Sequence, residues 1–221
     1  MRRLRCRGVT PSRPFRPLTS HRAISLLLAT LWSAGSACIG DAPLKGVAID
    51  PPRELPSFVF TLPSGATFDT TPDGMRPTVL FFGYTHCPDY CPQTLAVLGQ
   101  VRRDLGPEAA RLRVVMVSAD PERDRPEVLA AYLGDHQPDA VGLTGEFEAV
   151  TAVAEAFGAE FHKDPIRQAG GAPGGDGDYT VTHTGRLYLV DPQGQIRGSY
   201  LGALSPEDVA HDVRVLLGLS P

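Results

Sequence analysis

The chain has 221 residues, of which 21 are Lys or Arg and 25 are Asp or Glu, so its formal net charge at pH 7 is −4. This length accommodates one ordinary domain with appendages. An apolar fraction of 42% and a mean hydropathy of −0.09 exclude a polytopic membrane protein and a wholly disordered chain. Four cysteines are too few for a disulfide scaffold of this length, so each needs its own explanation.

The charge is unevenly distributed along the chain. Residues 1–37 contain seven arginines and no acidic residue, which leaves 14 basic against 25 acidic groups, and a net charge of −11, in the remainder. Such an acidic body argues against nucleic-acid binding.

The first 38 residues predict an export signal or a membrane anchor. An Arg-rich segment is followed by the apolar run AISLLLATLW at 23–32 and by small residues that end at Cys38. The apolar stretch 23–39 reaches only the lower limit for spanning a bilayer. Gly35–Cys38 resembles a bacterial lipobox, which would make Cys38 a lipidation site. An uncleaved anchor and a mitochondrial presequence remain open, so we expect attachment to a membrane on its periplasmic side, or to the mitochondrial inner membrane facing the intermembrane space.

A proline-rich stretch without apolar periodicity follows the signal. It predicts a linker over residues 39–55, and a single folded domain over residues 56–221. The glycine-rich segment 168–178 predicts a mobile loop inside that domain.

Strands and helices alternate in the predicted domain. Apolar and β-branched runs predict strands at 58–62, 78–84, 112–118, 141–144, 186–190 and 196–201. Helical spacing predicts helices ending at Gly106, starting at Asp124 with a capping box to Glu127, covering 147–157, and starting at Ser205. This order favours an α/β domain whose central mixed sheet has parallel strands, an antiparallel hairpin at its edge, and flanking helices.

The motif Cys87-Pro-Asp-Tyr-Cys91-Pro92 stands where the strand 78–84 meets a helix, with Pro92 at the predicted first helical position. Ligand sites in open α/β sheets lie beyond the carboxyl ends of the strands. Orphan N–H groups at a helix N-terminus favour thiolates, so we expect Cys87 and Cys91 to act as a metal-binding or redox pair. A plain stabilising disulfide, or two inert buried thiols, is the alternative explanation of the two cysteines.

A third ligand would separate a metal site from a redox dithiol, because two thiolates and an imidazole suit Cu(I) and tolerate Cu(II). His21 lies in the leader, His136 and His211 lie on polar helix faces, and His162 is expected in a loop. His86 should point away from Cys87. His183 follows the glycine-rich segment and could fold over the helix end, but spacing alone leaves this ligand open.

Several motifs in order resemble the Sco/SenC family. They are VLFFGYTHCPDYCP at 79–92, VSADPERDRP at 117–126, VGLTG at 141–145 and DYTVTHTGRLYLVDPQG at 178–194. The resemblance implies a thioredoxin-like fold, a membrane tether, and delivery of copper to the CuA-bearing subunit of cytochrome c oxidase, after loading by an upstream copper donor. It also implies that Cys87, Cys91 and His183 are the copper ligands and that oxidation of the two cysteines to a disulfide abolishes binding.

Two departures and two alternatives accompany this interpretation. Thr182 stands where many relatives have Asp beside the ligand histidine, which would weaken the orientation of the imidazole. Residues 174–191 contain no proline, whereas thioredoxins place a cis-proline against their dithiol. One alternative is a thiol–disulfide oxidoreductase that reduces the cysteines of the oxidase subunit, or a general redox sensor. The other is a structural or assembly-platform protein with an incidental disulfide. We therefore expect a metallochaperone rather than an enzyme.

Overall fold

The fold is seen in a computed structural model that describes residues 43–70, 74, 76–165 and 179–220. These residues belong to one compact unit, Gly40–Pro221. The strands are β1 Val47–Glu54, β2 Val59–Thr61, β3 Thr67–Asp69, β4 Thr78–Gly83, β5 Arg113–Ser118, β6 Val141–Leu143, β7 Phe161–Pro165, β8 Tyr179–His183, β9 Arg186–Val190 and β10 Gln195–Leu201. The helices are α1 Tyr90–Leu105, α2 Pro126–His136, α3 Phe147–Phe157 and α4 Pro206–Leu216, with a 3₁₀ segment at Gly106–Arg111.

The central sheet has the strand order β1-β10-β9-β4-β5-β6. Strands β4, β5 and β6 are parallel to one another, and β9 pairs antiparallel with β4. The predicted hairpin β9–β10 is confirmed, but it lies inside the sheet because β1 pairs antiparallel with β10 and forms the edge. The sheet is therefore mixed, as predicted.

Strand β4 is apolar throughout because both of its faces are covered. Val79 and Phe81 pack in a cluster that includes side chains of α1, α2 and α4. Leu80 and Phe82 pack on the opposite side of the sheet, in a cluster that includes side chains of α3. Strand alternation thus divides one run of residues between two cores.

The predicted linker is wrong where it overlaps β1, at Val47–Glu54. The prediction rests on the prolines, among them those at 51 and 52, and on the absence of apolar periodicity. The β1–β10 register shifts between Ala48 and Arg53. An edge strand tolerates this interruption because its outer side has no neighbouring strand to bond. The structure therefore extends the folded domain before residue 56.

Two helix starts differ from the prediction. Helix α1 begins at Tyr90 with Asp89 as its N-cap, two residues before Pro92. A proline at the third position is tolerated because the first N–H groups of a helix have no intrahelical partner. Helix α2 begins at Pro126 without a side-chain cap, so the capping box at Asp124 is wrong. Ser205 caps α4 as predicted, since its hydroxyl accepts a hydrogen bond from the Asp208 N–H.

Strands β7 and β8 form a separate antiparallel pair that carries His183. The expectation that His162 lies in a loop is wrong, because this residue belongs to β7. The predicted mobile loop 168–178 and the N-terminal segment with Cys38 lie outside the described residues. Within the part of the chain that the structure describes, no helix is long and apolar enough to cross a membrane.

Candidate metal centre

Cys87 and Cys91 lie beyond the carboxyl end of β4, where the sequence places them. Cys87 is in the loop, and its N–H donates to the Tyr84 carbonyl at 3.1 Å, which closes a turn. Cys91 lies in the first turn of α1. Its N–H points at the Cys87 Sγ at 3.5 Å, and both thiols are free. The helix start thus directs an otherwise orphan donor at a sulfur.

The two thiols differ in exposure. Cys91 is fully buried and Cys87 is half-buried. The Cys91 sulfur lies against the end of β4 at Gly83, where a Cβ atom would be 2.7 Å from it and 3.1 Å from Met116 Cε. Glycine at position 83 is therefore required by the close approach of the sulfur rather than by backbone conformation.

His183 is the last residue of β8, which pairs with β7. It stands opposite Phe161 in the β7–β8 register. The next residue, Thr184, donates its N–H to the Glu160 carbonyl at 2.9 Å and accepts the Glu160 N–H on its hydroxyl at 3.0 Å. These bonds fix the chain on the C-terminal side of the histidine.

Two tyrosines contact the His183 ring edge-on. The ring centroids of Tyr84 and Tyr90 lie 6.0 Å and 5.9 Å from that of His183. The His183 Nδ1 lies 3.4 Å from the Thr184 carbonyl. A metal requires the lone pair of one ring nitrogen, so in the metal-bound state the proton of a neutral His183 belongs on the other nitrogen.

The structure brings the three predicted ligands together. One sulfur each from Cys87 and Cys91 and a ring nitrogen of His183 all lie within 4.8 Å of one another. Among the described residues, this is the one group of three or more His, Cys, Asp or Glu side chains with such geometry. Two soft sulfurs and one imidazole suit copper by ligand type.

The two thiols have opposite electrostatics. A hydrogen bond from the Cys91 thiol, together with bonds from His183 and from the N–H groups of Asp89 and Cys91, outweighs burial and lowers the pKa of Cys87 to about 3. The same hydrogen bond raises the pKa of Cys91, and burial and the neighbouring Cys87 charge add to the rise. The reduced, metal-free pair therefore holds one proton and one negative charge at neutral pH.

Asp124 supports the cysteine loop, a role that the sequence did not reveal. Its buried carboxylate accepts hydrogen bonds from the Thr85 hydroxyl at 2.6 Å, the Thr85 N–H at 3.1 Å and the Ser118 hydroxyl at 2.7 Å. Burial raises the pKa of Asp124, and these bonds to its charged form oppose the rise. The available sequence signal was an acid in the loop that follows the buried strand β5, which the apparent capping box obscured.

The remaining candidate residues lie away from the three ligand atoms. His86 is exposed, with its Nδ1 3.1 Å from the Thr85 hydroxyl. His136 contacts the Tyr132 carbonyl, and His211 contacts Asp212. Thr182 is exposed and donates its hydroxyl to Asp164 at 2.5 Å, so it is committed to strand β7. Adjacent residues of a strand point to opposite faces, which separates position 182 from the metal-facing side of β8.

Comparisons with known proteins agree with this geometry. A family model described as SCO1/SenC matches residues 48–218. A putative copper-binding protein of Stutzerimonas stutzeri is 36% identical over 147 residues, which are 66% of this chain and 68% of the relative. The chain also matches mitochondrial SCO2 homologues of cattle and human, of which it spans 49%.

Two solved structures show the same architecture. Apo Sco1 of Thermus thermophilus has a TM-score of 0.68 at 32% identity, covering 79% of this chain and 98% of that chain. Copper-bound ScoI of Bradyrhizobium japonicum has a TM-score of 0.62 at 32% identity, covering 72% and 96%. These matches confirm the predicted thioredoxin-like fold.

Proposed function

The chain belongs to the SCO1/SenC family, and from this premise we propose that it is a copper chaperone that binds copper through Cys87, Cys91 and His183. The observation that carries the proposal is the convergence of these three ligand atoms within 4.8 Å. The copper-bound relative from Bradyrhizobium japonicum supports copper as the metal. Delivery to the CuA centre of cytochrome c oxidase, after loading by an upstream donor, is the destination that the family motifs imply.

Copper capture requires a small change in protonation. Cys87 offers a thiolate at neutral pH, whereas Cys91 must release its proton as the metal binds. Binding of Cu(I) by both sulfurs therefore releases one proton and leaves the oxidation state of copper unchanged.

Copper release is expected from the Cys87 side. Cys91 is buried against Gly83, but Cys87 and His183 are each partly exposed. An incoming thiolate of the recipient would displace these two ligands first and the buried sulfur last. Low coordination by three protein ligands favours such exchange, because the metal passes between donors without entering water.

The difference in exposure and protonation between Cys87 and Cys91 supports a second candidate function. A partly exposed thiolate beside a buried thiol is the arrangement of a nucleophilic and a resolving cysteine. The chain would then reduce a disulfide of the oxidase subunit: Cys87 attacks it, Cys91 closes the intramolecular disulfide, and the two electrons pass to the substrate cysteines. Formation of the Cys87–Cys91 disulfide would also remove both copper ligands.

Tethering to a membrane remains part of the proposal. Residues 1–38 would act as an export signal or anchor, with Cys38 as the candidate lipidation site, and they lie outside the described residues. Mass spectrometry of the N-terminus after detergent extraction distinguishes an acylated Cys38 from a retained anchor.

An anaerobic transfer assay tests the proposed function against its alternative. The copper-loaded domain is mixed with the metal-free CuA domain of the oxidase subunit, once with reduced and once with disulfide-bonded recipient. A chaperone metallates the reduced recipient and leaves the disulfide intact. Reduction of the disulfide, together with failure to metallate the reduced recipient, would replace the chaperone with the oxidoreductase.

A further inference from the structure

The loop between β5 and α2 contacts both halves of the candidate metal centre. From one end of this loop, Asp124 binds Thr85, two residues before Cys87. At its other end, Asp120 accepts the Tyr179 hydroxyl at 2.7 Å. Ser118 joins the two ends, because its hydroxyl donates to Asp124 at 2.7 Å and accepts the Asp120 N–H at 3.0 Å.

Tyr179 is held from several directions. The Arg123 guanidinium lies 3.7 Å from the centre of the Tyr179 ring, donates to the Tyr179 carbonyl at 3.2 Å, and forms an ion pair with Asp120. The Lys163 ammonium lies 4.7 Å from the centre of the same ring and pairs with Glu122. Both strands of the β7–β8 pair are thus bound to the loop.

The contacts of Asp120 lie inside the domain, whereas the Lys163–Glu122 pair lies at its surface. Asp120 is fully buried, so its charge is balanced within the protein by Arg123. A charged hydrogen bond or a cation over an aromatic face is stronger when it is shielded from water. The arrangement therefore fixes the position of Tyr179 more firmly than an exposed ion pair would.

Tyr179 and His183 lie on the same strand, four residues apart. Residues i, i+2 and i+4 of a strand share one face, so Tyr179, Val181 and His183 all point the same way from β8. Val181 is buried and packs with Tyr84, which itself contacts the His183 ring. Strand β8 thus connects Tyr179 at one end to the imidazole of His183 at the other.

We propose that Tyr179, clamped by Asp120 and Arg123, is a positioning residue that keeps His183 at copper-binding distance from Cys87 and Cys91. This inference rests on the proposed copper site. It adds a residue that fixes the position of the histidine-bearing strand relative to the cysteine-bearing loop. Within the loop 120–124, Asp124 binds the cysteine-bearing loop and Asp120 binds the histidine-bearing strand. Loss of the clamp leaves the three ligands in place along the chain but loosens their spacing.

The test is a double-mutant cycle on copper affinity. The Cu(I) affinity of the reduced chain is measured anaerobically by competition with a chromophoric chelator, for wild type, Tyr179→Phe, His183→Ala and the double variant. Loss of the Tyr179 hydroxyl should weaken binding about tenfold, the lower end of what outer-shell partners of a metal site contribute. In the His183→Ala background the same substitution should change affinity by less than about twofold, since non-additivity marks residues that act through each other.

A matched control separates positioning from general stability. Tyr200 on β10 donates its hydroxyl to the buried Asp212 at 2.5 Å, which is the same tyrosine–carboxylate bond at a different place in the domain. Tyr200→Phe should leave copper affinity within about twofold of wild type. As a second variant at the clamp, Asp120→Asn keeps the shape of the side chain and removes the charge, and should weaken copper binding only when His183 is present.

The outcomes distinguish this inference from the proposed function. If His183→Ala itself leaves copper affinity unchanged, the proposed copper site is wrong and the positioning role falls with it. If His183→Ala weakens binding but Tyr179→Phe does not, or weakens it equally in both backgrounds, only the positioning role is overturned. Electron paramagnetic resonance of the Cu(II) form gives a second readout, because a displaced imidazole should reduce the nitrogen hyperfine coupling in Tyr179→Phe and not in Tyr200→Phe.

Discussion

The backbone N–H of Cys91 points at the Sγ of Cys87 at 3.5 Å, so the first turn of α1 stabilises a thiolate on the residue four positions before it. Together with the Cys91 thiol and His183, this donor makes Cys87 the charged member of the pair. The Cys91 thiol contributes most to the lowered pKa of Cys87 and the N–H at the helix start adds to it, so Cys87 is the sulfur that is ready to bind copper first. Cys91 remains a buried, protonated thiol until the metal binds.

Alkylation should distinguish the two cysteines. With the pKa of Cys87 lowered to about 3, its thiolate persists as the pH falls from 8 to about 4. The rate at which iodoacetamide alkylates Cys87 should therefore stay nearly constant over that range. Peptide mass spectrometry of the reduced, metal-free chain should locate the first label on Cys87. Cys91→Ala should raise the pKa of Cys87, because the Cys91 thiol is the largest contribution to its lowering. Labelling of Cys91 first, or a midpoint near the ordinary value of about 8.5, would contradict the assignment.

Gly83→Ala should damage the copper site and the fold together. A Cβ at this position meets the Cys91 sulfur at 2.7 Å, and the buried strand end leaves little room for either group to move. We expect a loss of about 1–3 kcal/mol in the free energy of unfolding, measured by urea denaturation, and weaker copper binding. Gly134→Ala in helix α2 is the control, since a Cβ there meets nothing within 4 Å and should stabilise the helix by about 0.5–1 kcal/mol. Equal copper affinity in wild type and Gly83→Ala would show that the sulfur does not depend on this contact.

Asp212→Ala should loosen the segment at Lys45 and Gly46 without changing the affinity for copper. The buried Asp212 carboxylate accepts the N–H groups of Lys45 and Gly46 at 2.8 Å and 3.0 Å and the Tyr200 hydroxyl at 2.5 Å. Its removal leaves these donors without that acceptor, for an expected cost of about 2–3 kcal/mol in unfolding free energy. Hydrogen exchange of the Lys45 and Gly46 amides should accelerate, while Cu(I) affinity stays within about twofold of wild type. Protected amides in Asp212→Ala would mean that other contacts hold this segment.

The sequence predicted most of the central sheet because its signals are local. The apolar run of β4, the hairpin β9–β10 and the capped helix α4 each rest on residues that are neighbours along the chain. Strand β1 was missed because its pairing partner, β10, lies far away in sequence and its prolines imitate a linker. Tertiary pairing thus overrode the local composition.

In the candidate site, too, the sequence predicts the residues that stand in a local pattern and misses those that depend on tertiary packing. Cys87 and Cys91 were identified from their position between a strand and a helix, which is a local pattern. His183 needed the family resemblance, because its approach to the sulfurs depends on how the β7–β8 pair packs. Asp124 and Tyr179 were not recognised, since their partners belong to other elements and leave no periodic signal in the chain.

The most direct test of the copper site is an anaerobic Cu(I) titration of the reduced chain, comparing wild type with His183→Ala and His162→Ala. His162 lies on the neighbouring strand, is exposed, and makes the matched control. We expect one tightly bound copper in wild type and in His162→Ala, and binding weakened at least about tenfold in His183→Ala. Undiminished binding in His183→Ala, or stoichiometric binding that survives the loss of Cys87 or Cys91, would contradict the proposed copper site.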